Sequence, residues 1–96
     1  MNEKLLKNIN HYGVKIELRK LNEECFELIE AIRDYEEVYS KHNYKQYIIG
    51  EIADVMVLLN QFKLYYGISD EEVKEVMIKK IDRQMERIEN DRNLHL

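Results

Sequence analysis

The chain has no proline and no tryptophan, and only three of its 96 residues are glycine: Gly13, Gly50 and Gly67. Turn-rich β folds draw heavily on proline and glycine, so this scarcity points to long helices. There is one cysteine, Cys25, so no intrachain disulfide can form. Nothing near it in sequence activates the thiol, and it reads as a core residue of a cytoplasmic chain. No charged-then-apolar leader opens the sequence and no run of 18 apolar residues occurs, so no membrane association is expected. An excess of positive charge is missing too. At a net charge of −4 the chain lacks the surplus of Lys and Arg that non-specific nucleic-acid binding requires. A Walker-type glycine loop, a Gly-x-Ser-x-Gly elbow and zinc-ligand spacing are also absent.

Lys, Glu, Leu and Ile dominate what is present, and all are compatible with helix. The length suits a single all-α domain over residues 1–96. A chain this short buries a modest share of its surface, so association into a homodimer or homotetramer is expected.

Residues 3–11 carry a narrow apolar stripe of Leu5, Leu6 and Ile9, ended by His11-Tyr12-Gly13. A second helix is predicted from about Val14 to Tyr39, with Leu18, Leu21, Cys25, Leu28, Ile29 and Ile32 as its apolar face. Glu24 and Glu27 fall at the edge of that face, while Glu30, Asp34 and Glu37 read as solvent-facing. Ser40-Lys41-His42-Asn43 reads as a turn, with Asn43 and Gln46 placed as a capping box for a third helix over Tyr44–Tyr66. In that helix Ile48, Ile52, Val55, Leu59 and Phe62 form one stripe, and Ile49, Ala53, Val57 and Leu64 are apolar elsewhere. Such a helix must be covered on more than one side. Gly67 suits the C′ position, and Ser69 with Glu72 forms the clearest capping box in the chain. The fourth helix then runs to about Glu89, leaving residues 90–96 as a frayed tail. Its face carries Lys80 and Arg83.

Two short stretches carry the chemistry. Glu23-Glu24-Cys25-Phe26-Glu27 and Glu51-Ile52-Ala53-Asp54 each set acidic residues three apart inside an otherwise apolar helical run. Residues at i and i+3 share a side of a helix, with Cβ atoms roughly 5–6 Å apart. The first stretch alone is weak evidence, because Glu-rich solvated helices produce it often. The second is more telling, because Glu51 and Asp54 sit in the most hydrophobic helix. Acids in that setting are paired or bind a cation. If the two helices pack together, four carboxylates converge, and oxygen-only ligands favour a hard cation such as Mg²⁺ or Mn²⁺. A di-iron bundle needs Glu-x-x-His pairs, whereas His11, His42 and His95 are preceded three residues earlier by Asn8, Tyr39 and Arg92.

These motifs in this order resemble the all-α nucleoside triphosphate pyrophosphohydrolases, the MazG-like family. Tyr12-Gly13, Glu27-Leu28-Ile29-Glu30-Ala31-Ile32 and Lys79-Lys80-Ile81-Asp82-Arg83 extend the similarity over about residues 12–90. Many relatives carry Gln where Glu17 stands. The resemblance implies a four-to-five-helix MazG-like bundle completed by homo-oligomerisation. It implies Mg²⁺-dependent hydrolysis of a nucleoside triphosphate to the monophosphate and pyrophosphate, serving to cleanse the nucleotide pool. Glu24, Glu27, Glu51 and Asp54 would be metal ligands, and Glu23 a nearby support orienting the attacking water, with Glu24 sharing the catalytic role. Lys80 and Arg83 are candidates to hold phosphates; the plainer reading is a solvated basic face paired with Glu75, Asp82 or Glu86. The alternatives are phosphoribosyl-ATP pyrophosphohydrolysis, or a non-catalytic helical module that binds metal or nucleotide. Asn60 could touch a base or sugar, but it suits a surface or interface polar group better. Tyr35, Tyr39, Tyr44 and Tyr47 suit packing or an interface better than base stacking.

Overall fold

The computed structural model describes residues 1–37 and 44–94, all in or between four helices: α1 (Asn2–Tyr12), α2 (Val14–Glu37), α3 (Tyr44–Tyr65) and α4 (Asp70–Leu94). No strand occurs among the described residues. The all-helical expectation therefore holds. The expected turn at 40–43 and its Asn43 cap lie outside the described residues, as do Tyr39, His42 and His95. No described helix is long and apolar enough to cross a membrane.

The chain divides into two compact units, Met1–Tyr66 and Gly67–Leu96. In the first, α1, α2 and α3 pack on one another. Gly13 makes the first junction possible. Its φ of 87° is a left-handed conformation that side chains rarely adopt, and its N–H donates to Ile9 O at 2.8 Å, closing α1. α2 starts at the next residue, with Glu17 N–H donating to Gly13 O. Ile9, Ala31 and Leu58 are the buried hydrophobic side chains, one from each helix. Tyr35 of α2 and Tyr44 of α3 lie with ring centroids 6.3 Å apart, and Tyr47 stands edge-on to Tyr44. The tyrosines that are described thus pack together, as expected.

The inward faces differ from those the hydrophobic pattern predicts. On α2 the inner row is Glu17, Leu21, Glu24, Leu28 and Ala31, while Leu18, Ile29 and Ile32 are exposed. Glu24 is thus part of the inner face rather than its edge. Glu30 and Asp34 are half-buried rather than solvent-facing. On α3 the inner row includes Ile48, Glu51, Val55, Leu58 and Gln61, while Ile52 and Leu59 are exposed. The physical reason is that polar residues with partners occupy the helix interface and leave an apolar stripe outside. Periodicity alone assigns the larger apolar stripe to the core.

The second unit is α4 and its lead-in. Gly67 has φ 67° and follows α3, as a C′ glycine should. Ser69 and Glu72 form the expected capping box. Glu72 N–H donates to Ser69 Oγ at 3.1 Å, and Ser69 N–H donates to Glu72 Oε1 at 3.2 Å. Asp70, Glu71 and Glu72 place negative charge where the helix dipole favours it. The helix does not fray at residue 90 but continues to Leu94. No glycine or proline interrupts Asn90-Asp91-Arg92-Asn93, and Arg92 sits in the last turn, where a cation is favourable.

Candidate metal centre and its adjoining pocket

Helix geometry builds the centre. Glu24 on α2 and Glu51 and Asp54 on α3 each present a carboxylate oxygen within 4.8 Å of the other two. Glu51 is buried, Glu24 half-buried and Asp54 exposed, so the cluster opens to one side. Glu27 lies outside this close triad but within hydrogen-bonding reach of Glu24 and Glu51, and its charge bears on both. Glu23 is exposed on α2. Lys80 and Arg83 are exposed on α4. Both are solvent-facing, as the plainer reading has it, and neither forms an ion pair with Glu75, Asp82 or Glu86 among the described residues.

The electrostatics are unfavourable in the way a cation site is before its cation arrives. Loss of hydration, followed by the charges of Glu27 and Asp54, pushes the Glu24 carboxyl up to about 7. Burial, then Glu27 and Asp54, also raises Glu51. Loss of hydration, then Glu51 and Glu27, raises the Tyr47 phenol, so it stays a hydrogen-bond donor near the acids. Glu24 Oε2 and Glu51 Oε2 are buried with no hydrogen-bond partner. Buried carboxylate oxygens without a donor are costly, and a divalent cation is the partner that satisfies both at once. The donor set is oxygen only, which fits a hard cation.

Next to the triad lies a pocket of about 190 Å³, lined by Asn8, Glu17, Lys20, Glu24, Asp54, Val57, Leu58 and Gln61. Glu17 and Gln61 are 0% and 1% exposed, yet both are polar. They are satisfied by one network. Asn8 Nδ2 donates to Glu17 Oε1 at 2.9 Å and to Gln61 Oε1 at 2.6 Å, and Gln61 Nε2 donates to Glu17 Oε2 at 3.4 Å. Lys20 Nζ lies 3.7 Å from Glu17 Oε1 and 4.7 Å from the centre of the Tyr12 ring.

Sequence reasoning singled out none of Asn8, Lys20 and Gln61, and named base or sugar contact by Asn60 only as the less favoured of two readings. Asn60 is half-buried and accepts a hydrogen bond from Lys63 Nζ at 3.2 Å; it does not line this pocket. A signal was nevertheless present. Glu17 precedes Glu24 by seven residues and Gln61 follows Asp54 by seven, which is two turns along the same face of each helix.

Comparison with curated proteins and with solved structures gives no match. The family described as the MazG nucleotide pyrophosphohydrolase domain matches residues 14–88, a span that holds both carboxylate motifs and most of the pocket. An all-helical chain, a cation-ready triad drawn from two neighbouring helices and that match over most of the length lead to one conclusion: the chain belongs to the MazG nucleotide pyrophosphohydrolase domain family.

Proposed function

We propose that the protein hydrolyses a (deoxy)nucleoside triphosphate to the monophosphate and pyrophosphate with Mg²⁺ or Mn²⁺, as a cleanser of the nucleotide pool. The observation that carries this reading is the pair of buried, unpartnered oxygens, Glu24 Oε2 and Glu51 Oε2, inside a three-carboxylate cluster. Family membership supplies the reaction class. Glu24, Glu27, Glu51 and Asp54 are the proposed ligands. A divalent cation bound there supplies the charge neutralisation that lets an acidic cleft accept a polyphosphate and offsets charge developing in the transition state. Glu24 and Glu23 orient the attacking water toward the α-phosphorus. Lys80 and Arg83 hold phosphate oxygens through charge-assisted hydrogen bonds.

We also propose a homodimer or homotetramer. Leu18, Phe26 and Ile29 on α2 are 56%, 59% and 58% exposed, and Ile49, Ile52, Met56 and Leu59 on α3 are exposed as well. So much uncovered hydrocarbon on two neighbouring helices marks an association surface.

The test is pyrophosphate release from a panel of nucleotides by folded protein supplied with Mg²⁺ or Mn²⁺, with phosphoribosyl-ATP in the same panel. Release from one or more nucleoside triphosphates is expected. Absence of turnover on every nucleotide rules the activity out, and turnover confined to phosphoribosyl-ATP replaces the substrate.

A further inference from the structure

We propose that Asn8 and Gln61, locked in orientation by the buried carboxylate of Glu17, form the base-reading end of the nucleotide site. The inference rests on the nucleotide reading above and adds to it the residues that choose the base.

The first argument is one of length. Glu17 and Glu24 are seven residues apart on α2, and Asp54 and Gln61 seven apart on α3. Seven helical residues span about 10.5 Å. The two helices therefore carry a cation cluster at one end of a shared pocket and a polar network two turns away. That is the scale of a nucleoside 5′-phosphate measured from phosphorus to base edge.

The second argument is chemical. A phosphate end needs cations, and this end offers neutral amides. Its one cation, Lys20, is engaged by Glu17 and the Tyr12 ring. Neutral amides beside the apolar side chains Val57 and Leu58 match an uncharged heteroaromatic ring with polar edges.

The third argument is orientation. An ionised carboxylate accepts hydrogen bonds and donates none. Glu17 therefore forces both amides to turn their NH₂ groups toward it, and Asn8 Nδ2 is fully spent on Glu17 and Gln61. Asn8 Oδ1 and one Gln61 Nε2 proton are left without a partner among the described residues. One fixed acceptor and one fixed donor are what a base edge with an adjacent donor and acceptor requires. Gln61 lines the pocket, so its unspent proton is the donor available to an edge that enters there. In this scheme Asn8 and Gln61 touch the base, and Glu17 is a positioning residue that acts through them.

The substitution that isolates Glu17 is Glu17→Gln. A glutamine presents one acceptor and one donor, so it cannot accept from both amides as Glu17 does; the network must rearrange, and the preferred base edge changes with it. Asn8→Ala removes the exposed acceptor from a half-buried position and is the variant that threatens folding least; Gln61→Met keeps side-chain volume. The experiment titrates wild type and each variant, checked for helicity by circular dichroism, with the 5′-monophosphates of adenosine, guanosine, cytidine, uridine and thymidine in the presence of Mg²⁺. Binding is read by NMR shifts. None of these ligands can undergo the reaction, so the outcome is independent of turnover. Wild type is expected to discriminate among bases by at least about tenfold. That discrimination collapses in Asn8→Ala and changes order in Glu17→Gln, while Mg²⁺ affinity stays within about twofold, a readout that loose packing alone would not give. Equal binding of all five monophosphates by wild type, or an unchanged ranking in folded Asn8→Ala and Glu17→Gln, overturns the proposal. Failure of pyrophosphate release with base discrimination intact instead overturns the activity and leaves the base-reading end standing.

Discussion

Glu51 is where the conflict between stability and use is sharpest. Its carboxylate is buried against Glu24, Glu27 and Asp54, and one of its oxygens has no donor. Glu51→Gln keeps the shape and removes one charge. In metal-free buffer the variant is expected to melt at a higher temperature than wild type, while pyrophosphate release drops by at least about a hundredfold; Asp54→Asn is expected to lose activity similarly. Thermal melts and the release assay read both halves, and activity within a few fold of wild type in both variants removes these residues from the site. A pH dependence follows from Glu24. In the unfolded chain its carboxyl ionises near 4.5; in the folded chain it keeps its proton to about 7. Between those values the folded state binds more protons, so metal-free stability falls as pH rises. Melting temperature measured across that window should decline without metal, and the decline should shrink or reverse with Mg²⁺. A rising metal-free curve contradicts the clustering of these acids. Glu24, Glu51 and Asp54 could be picked out in sequence because their three-residue spacing and the apolar setting of α3 single them out together with the family resemblance, while Glu27 lies outside the close triad. Asn8, Glu17 and Gln61 are harder to read, because a polar residue on a helix is usually solvated, and it is the packing of α1, α2 and α3 on one another that brings this trio inward.

The helices themselves follow from local signals. Gly13 and Gly67 mark the ends of α1 and α3 with positive φ, and Ser69 with Glu72 starts α4, all as the sequence predicts. Ser69→Ala should destabilise α4 by about 1 kcal/mol, seen as faster hydrogen exchange of its first-turn amides. Unchanged exchange there means the capping box contributes nothing. Gly50 is a different case, a mid-helix glycine where an added Cβ meets nothing within 4 Å of its own chain. Gly50→Ala should therefore stabilise α3 by about 0.5–1 kcal/mol, measured by chemical denaturation. A loss of stability instead shows that a second copy brings backbone against it. What local signals do not supply is the rotation of each helix. α2 and α3 are apolar on more faces than one chain can cover, and periodicity cannot rank those faces when the inner one carries the acids.

At the level of the molecule, the second unit leaves Val76, Met77, Ile81, Met85 and Ile88 about half-exposed along α4, and the first unit, taken by itself, leaves the exposed hydrocarbon of α2 and α3. Charge on that surface should break association. Sedimentation velocity on Phe26→Glu/Ile29→Glu is expected to show a smaller species than wild type. A wild-type chain that sediments at 11.7 kDa excludes the oligomer outright.

In the proposed oligomer, the outward turn of these side chains would also tie performance to abundance. Every candidate ligand lies in one polypeptide, while in the proposed oligomer the scaffold holding those ligands is finished when copies meet. Dilution should then lower the melting temperature and erode turnover per chain, with no change to any reacting group. For such a protein the quantity made by the cell acts as a setting on the chemistry, and a scarce chain is a weak one.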